Sequence, residues 1–297
     1  MATFTSYEQI GIKEDVSDII TDITPTDTPF VSLIKTQKVN NRTYQYQTDE
    51  LAAAGSNAQI EGADPTMATL TPTTMISGTT QILSKAFQVS ATSDAVATYG
   101  RAKETAYQLA RALKSIKRDL EFAYVGASNA EVVGNNTSGG TAREMDSADQ
   151  LIDSATTIAG GTAALTEQKL LDAGEAVFNE GGDASVFMIK PGDAQIVSGF
   201  TGASGRYRNF NDGQKTLTNV VDLYVSPYGE YRVVLNRHQM TTHAFLLDPS
   251  MWRSAVLRPF SRTLLAKTGD SDKHFIVGEY GLMHMNPKAS GMINALT

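Results

Sequence analysis

The chain contains no cysteine. That absence excludes disulfide staples, zinc–thiolate and iron–sulfur centres, and any cysteine nucleophile. Stability has to come from burial or from association. The four histidines, His238, His243, His274 and His284, form no HExxH or other tight metal spacing, so they read as surface or strand histidines rather than ligands. Eighteen consecutive apolar residues occur nowhere, so no segment is built to cross a bilayer as a helix, and no membrane partner is expected. The opening residues, MATFTSYEQIGIKED, lack both a basic start and an apolar centre and are not expected to act as a signal peptide. Basic charge is also scarce, with 25 Lys and Arg against 32 Asp and Glu, a net −7. Gripping nucleic acid through its phosphates is therefore not the main task, and only loose, non-specific proximity to DNA is left open. No internal repeat and no low-complexity tract occurs.

What is present is an ordinary foldable composition, 41% hydrophobic and 19% charged over 297 residues, enough for one large or two ordinary domains. The longest helical pattern runs over 92–125. Ala102, Ala106, Leu109, Leu113, Ile116, Leu120 and Ala123 recur at alternating spacings of three and four, which stacks them on one face. Arg101, Lys103, Glu104, Arg111, Lys114, Lys117, Arg118, Asp119 and Glu121 occupy the other faces. Asp94 is the expected N-cap and Gly126 the expected stop. Such a rod would be roughly 45 Å long at 1.5 Å per residue. Its alanine-rich stripe suits close approach to a flat partner such as a sheet.

Residues 1–37 read as an arm. Gly11, Pro25 and Pro29 interrupt any long periodicity, a short helix is expected over 14–20, and acidic residues outnumber basic ones. Ile19, Ile20, Ile23, Phe30, Val31, Leu33 and Ile34 need burial but have no obvious local partner. Over 38–90 the signal turns to β, with strands at 42–47 and 73–89. Between them lies LAAAGSNAQIEGADPTMATLTP, too long and too polar for a compact connection; it reads as the loose tip of a projecting hairpin. The Gly/Asn-rich 126–144 reads as a surface loop and domain boundary. Residues 147–240 alternate helix and strand: a helix over 147–159, and a second capped by Thr166, stapled by Leu165 and Leu170, and stopped at Gly181-Gly182. A strand follows at 186–189, then a short helix after Pro191, and a hairpin turning at Ser226-Pro227-Tyr228-Gly229. Past 241, strands are expected at 244–247, 255–257, 263–266 and 274–285.

The search for chemistry yields no catalytic, cofactor-binding or metal-binding residue. Gly199, Gly202 and Gly205 match neither a Walker loop nor a dinucleotide fingerprint. Asp270 and Asp272 begin like a calcium loop but lack its later ligands. Arg206, Tyr207, Arg208 and Phe210 mix basic and aromatic side chains, a weak nucleic-acid signal.

Three stretches, taken in order, resemble one family. They are GIKEDVSDIITDITPTDTPFVSLI (11–34), YGRAKETAYQLARALKSIKRDLE (99–121) and DPSMWRSAVLRPFSRTLLAKTGDSDKHFIVGEYGL (248–282). Together they are similar to the major capsid (head) proteins of tailed bacteriophages. The resemblance implies an α+β chain of the Hong Kong 97-type fold. Its parts would be an N-terminal arm (1–37), an extended hairpin loop (38–90), a peripheral domain with a long spine helix on a sheet (91–146), an axial α+β domain (147–240), and strands returning to the peripheral sheet (241–297). It implies a non-enzymatic, cofactor-free structural protein of the virion, assembled in the host cytoplasm into hexamers and pentamers of an icosahedral shell around double-stranded DNA. The implied partners are a separate scaffolding protein and a portal, with the binding of decoration proteins left open. Because the arm begins near Met1, no built-in scaffold is expected, and no crosslinking pair is identified. Gly100 is expected to let the spine helix bend as a precursor shell expands, with a close-packing contact as the equal alternative. An encapsulin-like nanocompartment is the nearest rival reading, and an oligomeric cytosolic enzyme a more distant one.

Overall fold

The computed structural model describes residues 27–62, 64, 67, 70–96, 103–137, 139–200 and 223–297. The helix expected over 14–20, Gly100, Gly202, Gly205, and the Arg206, Tyr207, Arg208 and Phe210 cluster lie outside the described residues. In chain order the elements begin with α1 (Pro29–Leu33), β1 (Lys35–Lys38), β2 (Thr43–Thr48), β3 (Thr74–Thr79), β4 (Gln81–Ser90), α2 (Ala91–Ala95) and α3 (Glu104–Glu121). Next come α4 (Ala148–Leu151), β5 (Thr157–Ala163), α5 (Glu167–Asn179), β6 (Val186–Ile189) and α6 (Ala194–Ser198). The remainder is strand: β7 (Leu223–Ser226), β8 (Gly229–Leu235), β9 (Ala244–Leu247), β10 (Trp252–Leu264), β11 (Ser271–His284) and β12 (Gly291–Leu296).

These strands form a six-stranded sheet, β5-β12-β9-β6-β8-β7, a four-stranded sheet, β1-β10-β11-β4, and a two-stranded ribbon, β2-β3. At the centre of the larger sheet, β6 (VFMI) and β9 (AFLL) are buried at every position. Wholly apolar runs suit strands covered on both faces. Alternation sends Phe187, Ile189, Ala244 and Leu246 to one core, shared with α5 through Leu170, Ala173 and Val177. Val186, Met188, Phe245 and Leu247 face a second core. That core also holds Ile116 and Leu120 of α3, Ile276 and Leu282 of β11, and Trp252 of β10. The two sheets are thus joined through a continuous apolar interior. The helix α5 fits its sequence signals: Thr166 accepts a hydrogen bond from the Lys169 amide, Leu165 and Leu170 are buried together, and Gly181 takes φ +80 past its end.

Several expectations are corrected. The spine helix does not run unbroken from 92 to 125. Val96 and Lys103 are both extended, and α3 begins at Glu104. Asp94 does act as a cap, but from the preceding short helix: its carboxylate accepts the Thr105 amide hydrogen at 3.1 Å. That bond holds the Asp94 carboxyl below its usual range. The far end does not stop at a left-handed Gly126. It widens into a π-helical turn, Phe122–Gly126, whose Ala123, Tyr124 and Val125 are buried. The helix expected over 147–159 shrinks to α4, because Asp153 takes the Ala155 amide into a 3-10 turn and the β-branched Thr156, Thr157 and Ile158 lead into β5. The strands after 241 do not all return beneath α3. β10 and β11 do, while β9 and β12 belong to the six-stranded sheet. β12, which had no clear sequence signal, pairs with β5 and β9 and carries a bulge at Ala295, where φ is +51.

Candidate assembly surface

Nothing in the described part resembles a reaction centre. No three His, Asp or Glu side chains come together in a metal-binding group among the described residues. The features that stand out are the ribbon, its tip, and the ties that hold them to the body.

The two legs of the ribbon start from opposite edges of the four-stranded sheet. β1 lies parallel beside β10, with Lys35–Lys38 opposite residues 253–256, and leads into β2; β3 runs through Thr80 straight into β4 on the far side of β11. Between the legs the ribbon crosses β10 and β11, and the gap is filled by Val39, Tyr44, Tyr46, Ala255 and Met283. The alternation of Tyr44 and Tyr46 with glutamines puts both rings on this inner side. Tyr44 donates a hydrogen bond to the Leu282 carbonyl at 2.6 Å. Burial pushes both phenols up, Tyr46 to about 12.

Beyond Thr48 the chain carries no regular structure until Thr74 among the described residues. Leu51, Ile60, Met67 and Leu70 are 97%, 83%, 85% and 90% exposed. Four large apolar side chains thus stand almost wholly in solvent along this one connection. At the root of the tip, Lys288 bridges Glu50 at 2.9 Å and Glu180, just past α5, at 3.0 Å. These two acceptors raise the Lys288 ammonium above its usual range.

The end of the arm is not left without a partner, contrary to expectation. Phe30 and Ile34 enter the subunit's own core, and Phe30 packs edge-on against Tyr124 and Trp252 at ring-centroid distances of 5.8 and 5.5 Å. Glu121, expected on the solvated side of the helix, is fully buried. Its carboxylate accepts the Phe30 and Val31 amide hydrogens, both at 2.8 Å, and the Asn236 side-chain amide at 2.6 Å. Burial raises its carboxyl above the usual range, and these donors pull it part of the way back. One carboxylate therefore ties the end of the arm, the spine helix and Asn236, the residue just past β8. Sequence pattern had no signal for this role, since a polar residue near a helix end looks solvated.

The stretch over 126–146 is likewise less loose than its composition suggests. Asp149 accepts Ser128 and Ser147 hydroxyls, both at 2.5 Å, and Arg143 approaches Glu279 at 3.6 Å beside Arg258. On α3, Ile116 and Leu120 are buried, whereas Ala106 is exposed and Leu113 is 43% exposed, so the apolar stripe outruns the sheet that covers it. Of the histidines, His284 is fully buried, stacked on Trp252 at 4.0 Å, bonded through Nδ1 to the Leu151 carbonyl and through Nε2 to Ser290. Burial drops its pKa to about 4. It is a packed neutral ring.

The model of the SU10 major capsid protein family matches residues 1–297. The chain belongs to this family. Over 98% of this chain and 96% of its relative, it is 31% identical to the major capsid protein of Escherichia phage Phieco32. Among solved structures, the capsid of a native GTA particle matches with a TM-score of 0.70 and 10% identity over 98% of both chains. The holo-SrpI encapsulin complex from Synechococcus elongatus PCC 7942 matches with a TM-score of 0.58 and 9% identity, over 100% of this chain and 96% of that one. The fold is the α+β, Hong Kong 97-type capsid fold. As a member of the SU10 family the chain is a phage major capsid protein, a structural component of the virion and not an enzyme.

Proposed function

We propose that this chain builds the closed icosahedral head of a tailed phage from hexamers and pentamers, and that its extended hairpin lies over an adjacent subunit there. The observation that carries the reading is the tip, where Leu51, Ile60, Met67 and Leu70 are each more than four-fifths exposed, well beyond any large apolar side chain of the body among the described residues. Closed symmetric assemblies supply the missing cover. The division into arm (1–37), extended loop (38–90), peripheral domain (91–146 and part of 241–297) and axial domain (147–240) follows from the same reading, with β9 and β12 moved to the axial side. Assembly in the host cytoplasm with a separate scaffolding protein, around a portal, belongs to it as well. So does a shell that holds double-stranded DNA in non-specific proximity. Arg111, Lys114 and Lys117 stand at exposed positions of α3 and would meet the carboxylates of a neighbour's acidic arm.

The test replaces 52–70 with a short Gly-containing turn. Loop closure depends only weakly on length, so the subunit should keep a cooperative melting transition. Sedimentation should then show capsomers or free subunits in place of stable shells. Shells at normal yield would remove the hairpin's role, and loss of the folded state would assign the tip to the subunit's own core. An encapsulin-type shell shares the fold, and the phage family membership favours the virion.

A further inference from the structure

We infer that Tyr44 sets the direction in which the extended hairpin leaves the subunit, its ring clamped between Gly78 of the ribbon and Gly281 of the sheet. The inference rests on the reading of the hairpin as an intersubunit element and adds the residue that aims it.

The geometry is specific. Tyr44 stands opposite Gly78 across the ribbon, and its ring lies over that position: a Cβ on Gly78 would come 2.7 Å from Tyr44 Cε2 and Oη. The same ring rests on β11, where a Cβ on Gly281 would come 2.7 Å from Tyr44 Oη and 2.8 Å from Cε1. The cross-strand partner of Gly281 is Ala255, so the floor under the ring is made of the smallest side chains available. Neither glycine has a positive φ, so the backbone does not need glycine at either place. The space does. The hydroxyl then reaches the Leu282 carbonyl at 2.6 Å. From the opposite face of the sheet, Tyr124 donates to the adjacent Gly281 carbonyl at 3.2 Å, so successive carbonyls of β11 are gripped from both sides.

Position matters as much as fit. β11 pairs with β4 only as far as Tyr280, and β10 pairs with β1 only over 253–256. The clamp therefore sits one residue past the last β11–β4 pair, where the β3 leg has left the sheet while the β1 leg is still paired to it through Gln37 and Ala255. A ribbon attached only through its two legs could tilt about the line joining them. A ring wedged across it, hydrogen-bonded to the strand between the legs, removes that freedom. Small tilts at this point become large displacements at the tip, where Leu51, Ile60, Met67 and Leu70 stand exposed.

The experiment compares full-length Gly281→Ala, Tyr44→Phe, Gly55→Ala and the tip-shortened chain, under conditions in which the unaltered chain closes shells. Melting curves report the fold; sedimentation and electron microscopy report yield and particle diameter. Gly281→Ala must push the ring off its floor. It is expected to keep cooperative melting and to give roughly tenfold fewer closed shells, or shells of altered diameter. Tyr44→Phe keeps the packing and loses the Leu282 bond, and is expected to shift yield or diameter the same way by less. Gly55→Ala, in the tip with open space around it, is expected to assemble normally. If Gly281→Ala fails to melt cooperatively, Tyr44→Phe decides the matter alone, for or against. Normal shells from both variants, with assembly blocked in the tip-shortened chain, overturn the role of Tyr44 and leave the hairpin reading intact. Normal shells from the tip-shortened chain overturn the hairpin reading itself.

Discussion

The six-stranded sheet and the hairpin tip both carry large apolar side chains, and they carry them to opposite ends. In the sheet, β6 and β9 are closed over on both faces, by α5 on one side and by the core shared with α3 and Trp252 on the other. In the tip, Leu51, Ile60, Met67 and Leu70 stand almost wholly in solvent. A single chain with both conditions separates two kinds of stability. The sheet is stabilised within the subunit, whereas the tip finds no cover there, and in the assembly proposed above a neighbouring subunit supplies it. The ribbon between them is intermediate, packed at its root through Tyr44 and Tyr46 and open beyond Thr48.

The sharpest way to break this contrast is to make the tip polar. Replacing Leu51, Ile60, Met67 and Leu70 together with serine removes about 2 kcal/mol of potential burial per side chain. Shell yield measured by sedimentation should collapse, while the melting temperature of the unassembled subunit stays put. A drop in subunit stability would show that the tip is part of the subunit's core after all. The converse experiment empties the core: Trp252→Ala, at a fully buried site touching Phe30 and His284, should cost about 4 kcal/mol in denaturant unfolding. A cost comparable to that of a surface change would erase the distinction from the other side.

Acid probes the same core without mutation. The buried His284 ring takes a proton only below about 4 in the folded chain, while an unfolded histidine does so near 6.5. Between those values the unfolded state binds more protons, so stability falls as pH drops through the window and levels off below it. The loss attributable to this ring is at most about 3 kcal/mol. Urea unfolding across that range, with His284→Gln as the reference, should show a steeper pH slope in the unaltered chain. Equal slopes would remove the ring from the account. A smaller effect belongs to the tie at the arm. Glu121→Ala leaves the Phe30 and Val31 amides without their acceptor and should cost about 2 kcal/mol. Hydrogen exchange at those two amides should quicken, and unchanged exchange would mean that the arm is held by Phe30 packing alone.

Sequence alone determined the elements whose signals are local. The cap at Thr166 with its Leu165–Leu170 staple, the wholly apolar 186–189 and 244–247, and the turn around Pro227 and Tyr228 all act within a few residues, and α5, β6, β9 and the β7–β8 hairpin follow them. The polar length of 49–73 was equally legible, because a stretch without apolar periodicity cannot build a core. The resemblance of 11–34, 99–121 and 248–282 to phage head proteins carried the fold class. Tertiary structure decided the rest. Helical periodicity continued through 92–125, yet the bond from Asp94 to Thr105 starts α3 anew at Glu104, and periodicity cannot report a capping residue donated from outside the helix. Glu121 looked solvated because one-dimensional pattern assigns polarity to the outside, whereas three donors brought from residues far along the chain make its burial tolerable. The sheet each strand after 241 joins depended on pairing partners more than a hundred residues away for β12 with β5, and for Tyr44 on Gly281. Such choices are settled by which surfaces meet once the chain has folded, since that meeting supplies the burial and the hydrogen bonds that local sequence cannot specify.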